Sequence, residues 1–149
     1  MATISERGSL RFEGDNFVLD LQVVRAAVKA YKRYVSSAIP DPSTLSPSTV
    51  YLRLLHTAQR DDVALGGWTD PRTAVHLLEL RALFMVREYA KNEADPDASA
   101  PQRVSRAVSE AFVAAQVEAF FQGLCSQLPN KDADIIKDLL TLVSNRTCC

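Results

Sequence analysis

The feature that most constrains this chain is an apolar residue recurring at alternating steps of three and four, in stretches separated by proline. Leu21, Val24, Val28, Tyr31 and Val35 follow that spacing and fall on one face of a helix predicted over about Asn16 to Ser37. The connector SSAIPDPSTLSP ends it, because Pro40, Pro42 and Pro47 remove backbone donors and bias the residues before them away from helix. Three further helices are announced by a small or polar residue followed by proline, whose missing N–H costs nothing in a first helical turn. Ser46-Pro47 opens the second, Asp70-Pro71 the third and Ser99-Ala100-Pro101 the fourth.

In the third helix Val75, Leu78, Ala82, Met85, Val86 and Tyr89 share a face, so Met85 reads as core. In the fourth, Val104, Val108, Ala111 and Ala115 lead into Val117, Phe120, Phe121, Leu124 and Leu128, which predicts a long buried helix with the Phe120-Phe121 pair inside. A fifth, from about Asp132 to Asn145, carries Ile135, Ile136, Leu139, Leu140, Leu142 and Val143 on a broad apolar face. No strand pattern matches these in strength. The fold class is all-α, an antiparallel bundle of about five helices, with residues 1–10 a tail and 11–149 one helical domain. ALGGWTD reads as a turn whose Trp68 anchors on the bundle, and KNEADPDASAP as a polar loop.

Composition narrows the function classes. With 17 basic against 18 acidic residues the net charge is -1, which gives no footprint for a nucleic-acid backbone. No apolar run approaches the ~20 residues that cross a bilayer, and MATISERGS lacks a signal-peptide core, so the chain reads as intracellular with no membrane span. Cys125, Cys148 and Cys149 have neither disulfide-framework nor zinc-ligand spacing, and His56 and His76 form no ligand pair, so no metal is expected. Cys148-Cys149 resembles a prenylated tail but is read as a plain terminus.

No nucleophile elbow, P-loop, dinucleotide fingerprint or zinc-protease motif is present. His56 reads as a helix-surface or partly packed residue, and His76 as solvated or satisfied. Glu79, Arg81, Arg87 and Glu88 in LLELRALFMVRE are expected as solvated, salt-linked rims of a helix contact, and Arg103, Arg106 and Glu110 as a surface ladder. RFEGDNFVLD leaves two readings open. Asp15 and Asn16 can cap the first helix beside an ordinary acid, or Glu13 can be a general base positioned next to flexible Gly14.

Taken in order, FEGDNFVLDLQVVRA, WTDPRTAVHLLELRALFMV and VSRAVSEAFVAAQVEAFFQGL resemble the C-terminal helical region of the acyl-CoA oxidases, flavin enzymes of the acyl-CoA dehydrogenase superfamily, from about Leu10 to Val143. The most specific element is Phe12-Glu13-Gly14-Asp15-Asn16, similar to the family's aromatic-Glu-Gly-acid-Asn run, although Phe17 stands where a small hydroxyl residue is common. The resemblance implies Glu13 as the base that takes the α-proton of an acyl-CoA substrate. It also implies FAD as cofactor, with Gly14, Asp15 and Asn16 beside it. The family's reaction yields trans-2-enoyl-CoA and hydrogen peroxide in fatty acid β-oxidation. Peroxisomal residence follows from resemblance alone, since NRTCC is not a Ser-Lys-Leu-type signal. The family's flavin-holding domains precede the motif, so the chain is expected to be a truncated oxidase. It would work as a homo-oligomer or with a partner bearing a flavin domain; the alternative is a non-catalytic association module or inactive truncated paralogue.

Overall fold

Asp70 shows how this chain starts a helix. Its Oδ1 accepts the Arg72 backbone N–H at 3.0 Å, and Pro71 takes the first helical position, where no donor is needed. The computed structural model describes residues 4–37, 41–57, 67, 70–92, 97 and 99–148, with side chains for 16–37, 41–56, 67, 70–92, 97 and 99–142. These residues form α1 (Ile4–Ser36), 3-10 turns at Pro42–Thr44 and Val50–Arg53, α2 (Leu54–Thr57), α3 (Pro71–Lys91), α4 (Ala100–Cys125) and α5 (Asn130–Cys148). There is no strand among them, and no described helix is long and apolar enough to cross a membrane.

α3 and α4 make the most extensive contact, with α1 and α5 also packed on α4. The pair is antiparallel: Arg81 meets Glu110, while Tyr89 and Val104 line one groove near the opposite ends of their helices. Between them and α1 lies a core of Val24, Val28, Leu52, Leu83, Val86 and Val104, each contributing roughly 1.5–3 kcal/mol by leaving water. Leu52, on the second 3-10 turn, is fully buried, so this short segment plugs the bundle rather than merely linking two helices.

Several boundaries depart from the sequence reading. α1 begins at Ile4, so Asp15 and Asn16 lie inside the helix and do not cap it. A growing helix gains one bond per added residue, and each of Gly8 and Gly14 subtracts only about 1 kcal/mol relative to alanine. The second helix is delayed and short. Ser46 Oγ bonds the hydroxyls of Ser48 and Thr49 at 3.0 and 2.9 Å, and its carbonyl accepts the Thr49 N–H, so three side chains favour a turn where a helix was expected. The fourth helix starts as expected, but Ser99 is not its side-chain cap. Asp97 instead organises the entry, accepting from Ser99 N–H, Ser99 Oγ and Arg103 Nη2 at 3.2, 3.1 and 2.8 Å. Trp68 and Cys149 lie outside the described residues, as do the side chains of Val143 and Cys148.

Burial corrects four further expectations. Val35 is exposed while the neighbouring Tyr34 is buried, because α1 turns the latter toward the His56 ring of α2. α4 is buried only over its first half, through Val104, Ala107, Val108 and Ala111. Beyond that Val113 is open and Phe120 is 67% exposed, with the half-buried Phe121 edge-on to it at 5.7 Å, so the phenylalanine pair is not core. On α5, Ala133 and Leu140 face inward, while Ile135, Leu139 and Leu142 face solvent. Its apolar face is wider than the side the bundle covers.

Candidate functional site

The backbone of Glu13, Gly14 and Asp15 lies in the N-terminal half of α1, and their side chains fall outside those described. Asn16 is exposed on the same helix, followed by Phe17, Val18 and Leu19, all open to solvent. Three consecutive large apolar residues span nearly a full helical turn, so the helix here is bare around most of its circumference. A flavin needs a concave, mostly enclosed site of roughly 300–1,000 Å³. Asn16 is not among the residues lining the groove at the α3–α4 ends or the groove between α1 and Tyr89.

Among the described residues, several perturbed titratable groups lie where α3 meets the second 3-10 turn and α4. Glu79 is 2% exposed, and its Oε2 accepts a 2.7 Å hydrogen bond from Arg53 Nη2, whose side chain is 40% exposed. Burial pushes the Glu79 carboxyl above its ordinary range, Arg53 pulls it partly back, and Glu118 of α4 adds to the rise. The sequence reading placed Glu79 on a solvated rim. The helix face that carries Leu78, Ala82 and Leu83 to the core carries Glu79 with it, and Arg53 reaches in to neutralise it.

His76, one turn before Glu79, is half-buried, and its Nε2 is buried without a hydrogen-bond partner among the described residues, against the expectation of a solvated or satisfied ring. Desolvation, and after it the Arg53 charge, hold its pKa below the ordinary value. Burial likewise raises Glu118, which accepts a hydrogen bond from Gln122 and feels the opposing charges of Arg72 and Asp70. The Tyr34 and Tyr51 hydroxyls are also buried without partners among the described residues, and burial pushes the Tyr51 phenol up.

The expected ladder is present in altered form. Glu110 accepts from Arg106 at 2.8 Å and from Arg81 across the helix pair at 2.6 Å; burial alone would raise its carboxyl, but the two guanidiniums hold it below the usual range. Arg103 leaves the ladder for Asp97. His56 is exposed, its ring 5.7 Å from that of Tyr34. Met85 packs partly buried against the core, as its spacing predicted. Cys125 is half-buried and reduced, its Sγ donating to the Ala133 carbonyl at 3.6 Å, and the described residues hold no cluster of three or more groups suited to a metal.

The arrangement thus brings Arg53, His76, Glu79 and Glu118 toward one another, while the backbone of the Phe12–Asn16 motif belongs to α1. Sequence reasoning missed the buried pair, because nothing in the spacing of Glu79 separates a core position from a rim. No family model matches this chain, and no curated protein or solved structure does either.

Proposed function

We propose that the chain is the helical module of a FAD-dependent acyl-CoA oxidase, contributing Glu13 as the carboxylate that takes the substrate's α-proton, with the flavin held by a partner polypeptide. The observation that supports this reading is the bare apolar turn Phe17-Val18-Leu19 immediately after Phe12-Glu13-Gly14-Asp15-Asn16. A partner domain closing on that turn would exclude water from Glu13. Desolvation would then raise its carboxyl and make the carboxylate a stronger base toward a weakly acidic C–H. The test is reconstitution. The chain is purified alone and with flavin-bearing candidates, and flavin absorbance and acyl-CoA-dependent peroxide are measured. Glu13→Gln should abolish peroxide formation while leaving complex formation intact; a complex with full activity in that variant, or no complex retaining flavin, refutes the reading.

A second reading, a non-catalytic association module, is favoured by the uncovered apolar residues of α4 and α5, Phe112, Val113, Phe120, Ile135, Leu139 and Leu142. Light scattering separates the cases: a clean monomer with no binding to a flavin-bearing partner counts against association, and association unaffected by Glu13→Gln, without any activity, favours it.

A further inference from the structure

The second half of α1 carries charge of one sign. Residues 21–36 include Arg25, Lys29, Lys32 and Arg33 and no carboxylate, in a chain whose net charge is -1. Arg25, Lys29 and Lys32 stand at steps of four and three and so share a face. They edge a groove of about 370 Å³, floored by Val24 and Val28 and walled by Tyr89 of α3. No carboxylate is within ion-pair distance of Arg25 or Lys29 among the described residues, and Glu88, beside Tyr89, is taken by Lys91 at 2.9 Å.

A second groove of about 400 Å³ lies between the end of α3 and the start of α4, and Tyr89 lines it too. Its apolar part is Phe84, Met85, Ala100 and Val104; its polar rim is Asn92, Glu88, which pairs with Lys91, and Arg103, which pairs with Asp97 at 2.8 Å. Both volumes fall within the roughly 300–1,000 Å³ range of small-molecule sites. Tyr89 is thus common to both linings, with Arg25 and Lys29 on one side of it and Phe84, Met85, Ala100 and Val104 on the other.

The geometry points to a binding site for an anionic amphiphile: a carboxylate or phosphate head held by Arg25 and Lys29, with its alkyl chain crossing Tyr89 into the groove of Phe84, Met85 and Val104. A neutral ligand would leave the two cations unused, and a cationic one would be repelled by them. The site is separate from Glu13 and needs no flavin, so it stands or falls apart from the oxidase reading.

Titration calorimetry on the full chain tests it, with dodecanoate and dodecyl phosphate as probes below their micelle-forming concentrations, and hexanoate and dodecyltrimethylammonium as controls. The expected result is saturable binding of both dodecyl anions, at least about tenfold weaker binding of hexanoate, and none of the cation. R25E/K29E should weaken the dodecyl anions about tenfold or more, with R25Q/K29Q as the gentler pair and circular dichroism as the check on folding. Met85→Trp, which fills the apolar groove, should weaken dodecanoate while leaving hexanoate unchanged. Tighter binding of the phosphate marks a phosphorylated lipid or metabolite as the natural source, and tighter binding of the carboxylate a fatty acid. Failure to bind either anion, equal binding of dodecyltrimethylammonium, or unaltered affinity in R25Q/K29Q overturns the proposal.

Discussion

Removing Arg53 tests whether the Glu79 carboxylate is a core group held in place by one partner. Breaking a fully buried pair by deleting one member costs about 3–5 kcal/mol, because a charge is left without compensation. Here Glu79 is 2% exposed but Arg53 is 40% exposed, so part of the interaction is screened by solvent and Arg53→Ala should cost about 2–3 kcal/mol. Glu79→Gln keeps an acceptor for Arg53 and leaves a guanidinium that water reaches, so it should cost less, about 1 kcal/mol.

The penalty depends on pH with a definite sign. Burial already holds the Glu79 carboxyl above its ordinary range, so in the native protein this group favours folding most below the unfolded carboxyl's pKa, and the benefit is lost as pH rises through the raised value. Without Arg53, the main influence lowering that pKa is gone and the rise is larger. The destabilisation of Arg53→Ala should therefore be greatest near neutrality and shrink as acid protonates Glu79. Urea unfolding followed by circular dichroism, at about pH 7.5 and about pH 4.5, measures both effects. A cost below about 1 kcal/mol at neutrality, the same cost at both pH values, or a larger cost for Glu79→Gln would refute the account of a carboxylate dependent on its partner.

Asp70→Ala should destabilise by about 1 kcal/mol, and Asp70→Asn should restore most of it, by the same unfolding assay. Because the Arg72 backbone N–H holds the Asp70 carboxyl below its usual range, that contribution is present above the ordinary aspartate pKa and lost as pH falls through the depressed value. Gly123→Ala should stabilise by roughly 0.5–1 kcal/mol, since a Cβ there meets nothing within 4 Å and the residue is helical; a loss of stability would refute it. His76 has a lowered pKa, so it favours folding above the ordinary histidine value and that support is lost as pH falls through the lowered one. His76→Gln should flatten the stability profile on the acid side of neutrality, and an unchanged profile would show that desolvation of this ring carries no weight.

Helix periodicity was enough to place Val24, Leu78, Ala82, Val86, Val104 and Val108 in the interior, because each lies where its helix meets another over its whole width. It failed for Val35, Phe120, Ile135 and Leu139 for a common reason. An apolar stripe states which side of a helix wants cover, and only the neighbouring helix decides whether cover exists. The Asp70-Pro71 start was legible because a cap is a local interaction between residues two apart. Ser46-Pro47 misled because the hydroxyls of Ser48 and Thr49, equally local, compete for the same turn. The Arg53–Glu79 pair joins residues 26 apart, which no local pattern can encode. The basic face of Arg25, Lys29 and Lys32 went unread in the sequence, because a net charge of -1 averages it away, and its meeting with Tyr89 requires the packing of α1 on α3.

Phe120, Ile135, Leu139 and Leu142 have a consequence for how such a chain would fare in a cell. Chaperones and proteases sort polypeptides by the apolar surface they display, and differences of 1–2 kcal/mol can change abundance about several-fold. A properly folded copy with α4 and α5 uncovered presents the same signal as a partly unfolded one. Were a partner to cover those faces, as the association reading proposes, the chain's steady-state amount would be set by how much of that partner is made, even when its own synthesis is constant.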